Sequence, residues 1–172
     1  MLGRVVFVNG PPASGKTTVA RAFQALRHQR RDETWLLVQL DTFSAMAPHG
    51  VALSDEQRDA CVTVMTDALT TLLAGPLDVL VELVVRDDDA VRAIARDLRA
   101  AAEDAGREET WLTLRASERV RDERNRARGS TSSIEVHARL DEDFVGLGEV
   151  VDTEALDAGM CASHLSALLD QA

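Results

Sequence analysis

Short apolar runs alternate along this chain with stretches of helical period. Val5-Val6-Phe7-Val8 is apolar throughout, the pattern of a strand buried on both faces. Thr17 to about Arg27 has helical spacing. A second strand is predicted over Trp35–Leu40, followed by an irregular segment, 42–53, that contains Pro48 and Gly50. Ser54 with Asp55, Glu56 and Gln57 reads as an N-cap and acidic first turn, opening a helix that runs to about Ala74, where Gly75-Pro76 stops it. Asp78–Val85 is the third strand. Asp87-Asp88-Asp89 then opens a helix with Val91, Ile94, Ala95 and Leu98 on one face. Thr110–Leu114 is the fourth strand. Ser117 caps a charged helix from Glu118 to about Ala127, which Gly129-Ser130-Thr131-Ser132 interrupts; helical character resumes from Ile134 to about Glu142. Glu149–Asp152 is the fifth strand and Ala162–Leu169 the last helix. Apolar strands separated by helices predict one α/β domain over residues 1–172, a five-stranded parallel sheet with helices on both faces.

The loop after the first strand carries the strongest chemical signal. Gly10, four residues, then Gly15-Lys16-Thr17 fits G-x-x-x-x-G-K-[ST], with a strand before it and a helix after it. This predicts a P-loop NTPase fold. Glycines let the backbone curl around a phosphate, and the N–H groups from Ala13 and Ser14 through Gly15 to Thr18 would face it at the positive end of the helix. Lys16 is the only lysine of the chain. A compact ammonium on a flexible stem can reach between β- and γ-phosphates, where a planar arginine fork would not substitute well. The Thr17 hydroxyl is the expected Mg²⁺ ligand. Pro11 and Pro12 sit early in the loop, where the lost donors are not needed and the unbound chain is restricted.

Charge and composition narrow the class. The net charge of -10 and pI near 4.8 argue against a nucleic-acid partner, and the absence of Tyr argues against a base-stacking platform. No run approaches a membrane span and no leader pattern opens the chain, so a cytoplasmic protein is expected. Cys61 and Cys161 are far apart, without metal-ligand spacing, and read as thiols in a reducing compartment. With Lys16 spent in the loop, no Asn-Lys-x-Asp guanine motif exists. Self-association into a homo-oligomer stays open.

Three further positions suggest phosphoryl transfer. Asp41 closes the second strand at the edge that faces the ligand crevice in parallel sheets, where a carboxylate can accept the proton of an acceptor hydroxyl. Glu82 interrupts an apolar strand; a buried carboxylate needs a partner, which could be Mg²⁺, a bridging water, an acceptor group or, structurally, an arginine. The helix Arg119-Val120-Arg121-Asp122-Glu123-Arg124-Asn125-Arg126-Ala127-Arg128 occupies the place of a mobile lid, here 119–135, that brings arginines over a transferring phosphate. A solvated charged helix is the alternative. Asp87 to Asp89 read as helix caps, and His49 as a wall of the acceptor pocket. His28, His137 and His164 read as surface residues.

Val8-Asn9-Gly10 to Thr17, Trp35-Leu36 with Leu40-Asp41, the strand holding Glu82, Arg124 with Ala127-Arg128-Gly129, and Val150-Val151-Asp152-Thr153 together resemble the chloramphenicol phosphotransferase-like small P-loop kinases, which are similar to shikimate, gluconate and adenylate kinases. The resemblance implies ATP- and Mg²⁺-dependent phosphorylation of a hydroxyl on a small molecule, sometimes an antibiotic. It implies Asp41 as base and Arg124 and Arg128 as lid arginines beside Lys16. The family commonly has aspartate where Glu82 stands. A kinase of nucleotides, sugar acids or polynucleotide ends, and a non-catalytic ATP-binding regulatory module, are the rival readings.

Overall fold

In the computed structural model, residues 3–39, 42, 53–84, 89–129 and 147–171 are described, apart from the side chains of 55, 58, 59, 62 and 89–92. β1 (Val5–Asn9) is buried at every position and forms the middle of a five-stranded sheet of order β2-β3-β1-β4-β5. β2 is Trp35–Gln39, β3 Asp78–Leu83, β4 Glu109–Arg115 and β5 Glu149–Asp152; all pairings are parallel. The predicted single α/β layer architecture is what forms.

Strand alternation divides the core. Val6 and Val8 face α1 (Lys16–Arg31) and the last helix, in a cluster that includes Phe23, Trp35, Leu112, Leu114 and Leu165. Val5 and Phe7 face the opposite side, where α2 (Asp55–Ala74) supplies Met65, Leu69 and Leu73 and α3 (Asp89–Asp104) supplies Ala95, Leu98 and Ala102. Both faces of β1 are thus dry, which explains a strand that is apolar at every position from Val5 to Val8. α4 (Glu118–Ala127) follows β4, and α5 (Ala158–Leu169) closes the described chain.

Several boundaries differ from expectation for identifiable reasons. α1 runs four residues past Arg27, because His28, Arg30 and Arg31 suit a helix C-terminus, and it ends at Asp32 in a left-handed conformation with φ 54. α5 begins at Ala158 rather than Ala162, because the Asp157 carboxylate accepts from the Met160 N–H as an N-cap. Ser54 and Gln57 make a full capping box on α2. β3 ends at Leu83, two residues short of the predicted end. Of the predicted lid 119–135, residues 119–127 continue α4 and the part beyond 129 lies outside the described residues. So does the helix predicted over 134–142.

The N-terminal edge of the sheet is locked by charge. Arg27, 1% exposed, donates through Nε and Nη2 to Glu33 at 2.7 and 2.8 Å and through Nη1 to Asp170 at 2.8 Å. Glu33 also accepts from Trp35 Nε1 at 3.0 Å and pairs with Arg4 Nη2 at 3.0 Å. Burial pushes the Glu33 carboxyl up, but the bonds from Arg27, Trp35 and Arg4 outweigh it and hold it down at about 2. Arg107 is buried and donates to the carbonyls of Leu72 and Leu73 in the last turn of α2 and of Gly75 and Leu77 just after it. Burial pushes its pKa down.

Candidate functional site

The sheet order reverses at β1, whose neighbours are β3 on one side and β4 on the other. A crevice therefore opens beyond the carboxyl end of β1, and the loop from Gly10 to Thr17 sits in it. The loop's shape needs its glycines. Gly10 has φ 155, and a Cβ there would lie 2.6 Å from the Leu114 carbonyl oxygen. Gly15 has φ 99 and serves as N-cap of α1 without any side-chain cap. The first turn of α1 contains no acidic residue. Its forward N–H groups thus meet no side-chain acceptor from the cap, and the helix end is suited to an anion. Ala13 adopts φ 61, a left-handed conformation that costs a residue with a Cβ about 1 kcal/mol.

Lys16, 8% exposed, folds back over the loop. Its ammonium donates to the carbonyls of Gly10 at 2.9 Å and Pro11 at 3.0 Å. The Pro11 carbonyl also accepts from the Ser14 N–H at 3.2 Å. Pro11 therefore contributes an acceptor that organises the loop, besides removing a donor. Ser14 is fully buried, and Thr18 is exposed on the outer side of the first turn.

Thr17 and Glu82, predicted independently as metal ligands, are brought together. The Thr17 hydroxyl lies 2.9 Å from both carboxylate oxygens of Glu82. Glu82 stands beside Val8 in β1 and Gln39 in β2 in the strand register, and is 8% exposed. No arginine pairs with it among the bonds and ion pairs of the described residues; its partners there are Thr17 and Gln39. Gln39 Nε2 donates to Glu82 Oε2 at 2.8 Å and approaches Thr17 Oγ1 at 3.4 Å. Sequence reasoning missed Gln39. Its signal was the same as that of Glu82, a polar residue at the carboxyl end of an apolar strand. A hydroxyl and a carboxylate on adjoining elements are hard oxygen donors, the set that suits Mg²⁺ completed by water and phosphate oxygens. Among the described residues no group of three or more His, Cys, Asp or Glu is arranged to hold a metal by itself.

The arginines divide. Arg124 reaches back onto the loop: Nη1 donates to Ala13 O at 3.2 Å and Thr153 Oγ1 at 3.0 Å, and Nη2 to Thr153 O at 2.8 Å. Arg128 is exposed at the end of α4. Both line a cleft of about 340 Å³ that continues from Gly15 and Thr18 to Thr153 and Asp157. Arg119 pairs with Glu123 at 2.7 Å on the surface, whereas Arg121 is fully buried, which a wholly solvated helix would not allow. Thr153, quoted above only for its resemblance, is a second residue that sequence reasoning passed over. Asp41, His49, Asp87, Asp88 and His137 lie outside the described residues. Cys61 and Cys161 are both free; Cys161 is buried, and burial with the nearby Asp157 charge pushes its thiol up.

Residues 5–144 match the family model described as an AAA domain. No curated protein matches the chain. Similar solved structures include an APS kinase of Mycobacterium tuberculosis in complex with AMPPNP and APS, with 17% identity, 98% of each chain covered and TM-score 0.69. A sugar kinase from Janibacter sp. has 17% identity over 98% of this chain and 95% of that chain, TM-score 0.67. The tunicamycin resistance protein of Deinococcus radiodurans has 22% identity over 97% of this chain and 95% of that chain, TM-score 0.64. At these identities the likeness is one of fold.

Proposed function

We propose that this chain, which belongs to the AAA domain family, is an ATP-dependent small-molecule kinase that moves the γ-phosphoryl group to a hydroxyl of its acceptor. The observation that carries the reading is the contact of Thr17 with Glu82 at the mouth of the phosphate loop. A carboxylate placed in an apolar strand only to meet the loop's last hydroxyl has little structural use, whereas a nucleotide-bound Mg²⁺ gives it one.

On this reading Gly10, Ala13, Ser14, Gly15, Lys16, Thr17 and Thr18 bind the phosphates. Lys16 leaves the carbonyls of Gly10 and Pro11 for the β- and γ-phosphates; those carbonyls keep the ammonium at the site in the meantime. Thr17 and Glu82 would hold Mg²⁺, which when bound neutralises charge on the phosphate oxygens. Gln39 keeps one Glu82 oxygen oriented through its amide. Arg124 and Arg128 supply positive charge beside the transferring group from the cleft wall. Asp41 takes the proton of the acceptor hydroxyl.

The acceptor class is a small hydroxylated molecule, with antibiotics such as chloramphenicol included. The fold shared with a tunicamycin resistance protein makes that branch worth testing. The net charge of -10 disfavours a polynucleotide acceptor, and the place of action is the cytoplasm, where ATP is supplied. The test is Asp41→Asn. It should abolish transfer while leaving ATP affinity nearly unchanged; an active Asn variant removes Asp41 from the role of base.

A further inference from the structure

The hydroxyl of Thr153 lies where three elements meet. It stands just beyond β5, 2.9 Å from the Ser14 carbonyl oxygen in the phosphate loop and 3.0 Å from the Arg115 carbonyl oxygen at the end of β4. It accepts from Arg124 Nη1 of α4 at 3.0 Å. A hydroxyl has one proton to give. Arg115 O already has the Thr153 N–H at 2.9 Å and the hydroxyl's shorter contact is with Ser14 O, so the proton is assigned to Ser14 O. Arg124 adds a donor to the preceding carbonyl, Ala13 O, at 3.2 Å.

Across a trans peptide the C=O and N–H point in opposite directions. Holding Ser14 O outward therefore turns the Gly15 N–H inward, toward the hollow of the loop. The Arg124 contact to Ala13 O steadies the neighbouring Ala13–Ser14 peptide, whose N–H donates to Pro11 O at 3.2 Å. The two braced peptides lie between the left-handed Ala13 and Gly15, with φ 61 and 99. A left-handed residue carrying a Cβ persists only where its surroundings over-determine it, and the donors from Thr153 and Arg124 do that here.

We propose that Thr153, braced by Arg124, is a positioning residue of the phosphate loop: it fixes the Ser14–Gly15 peptide so that the N–H faces the β-phosphate before nucleotide arrives. This rests on the nucleotide-binding part of the reading above. It assigns the β5 end a task in phosphate affinity, because amides aligned in advance cost no reorganisation on binding.

The test measures ADP and AMP binding by calorimetry on the full chain, for the wild type, Thr153→Val and Thr153→Ser. The ratio of the two affinities reads the grip of the loop on the β-phosphate. Thr153→Val should weaken ADP on the order of tenfold, as expected for one or two lost oriented bonds, with AMP held within about twofold. Thr153→Ser should restore the wild-type ratio. A residue that merely supports β5 would lower the melting temperature and weaken both nucleotides together, so an unchanged ADP-to-AMP ratio in Thr153→Val overturns the proposal. If the valine prevents folding, Thr153→Ala removes the same hydroxyl and is read the same way. A wild type with no preference for ADP over AMP overturns the nucleotide reading itself, which keeps the two failures apart.

Discussion

Replacing Glu33 by glutamine should expose how much the charged lock at the base of the sheet contributes. The carboxylate accepts two bonds from Arg27 and one from Trp35, and pairs with Arg4. Its pKa falls from 4.5 to about 2 in the fold. At about 1.4 kcal/mol per decade, the ionised form stabilises the fold by about 3 kcal/mol. A second route gives a similar figure. Arg27 is 1% exposed, and removing one partner of a buried pair costs roughly 3–5 kcal/mol, moderated here by the remaining bonds to Asp170 and Ser166. The sign follows from the direction of the shift. A depressed carboxyl pKa gives stability that is complete above the unfolded value of 4.5 and is lost as pH falls toward about 2. The assay is urea unfolding of the wild type and Glu33→Gln at a series of pH values. The gap between them should be about 3 kcal/mol at pH 7 and roughly half that near pH 3. A gap independent of pH, or none at pH 7, would refute the reasoning.

Two further changes probe the fold and the site. Arg107→Met should cost about 3 kcal/mol in chemical denaturation, because it strips donors from buried carbonyls at the end of α2; a loss below about 1 kcal/mol would show those carbonyls finding water instead. Glu82→Gln should raise the Mg²⁺ concentration needed for tight ATP binding on the order of tenfold, with metal-free ADP affinity little changed; equal Mg²⁺ dependence in both proteins would take Glu82 out of the metal site.

The parts of this fold that were legible in the sequence are those written in local chemistry. Val5 to Val8 is apolar at every position because both faces of β1 are covered, and a wholly buried strand needs no partner information to be recognised. Gly10 and Gly15 are constrained by the backbone shape of the loop, and with Lys16 and Thr17 they form a spacing that residue type alone makes readable. Ser54 and Ser117 announce their helices because a cap acts within three residues. What could not be read depends on separations of many residues. The β2-β3-β1-β4-β5 order is a choice of neighbours, and the apolar runs of β3 and β4 would serve on either side of β1. Arg27 and Glu33 look like surface residues in the chain, and only the return of Asp170 and the placement of Arg4 bury them as a network. Gln39 and Thr153 acquire meaning only once β2 lies beside β3 and the end of β5 meets the loop.

Transfer of a phosphoryl group to an acceptor separates a kinase from a nucleotide-sensing module. The direct measurement is ADP release from ATP with Mg²⁺ against a panel of hydroxylated small molecules, chloramphenicol and other antibiotics included, with Lys16→Ala as control. The account predicts release stimulated by at least one acceptor, dependent on Mg²⁺ and lost in Lys16→Ala. Tight ATP binding with the same slow release whatever acceptor is supplied would contradict it and favour a nucleotide-sensing module.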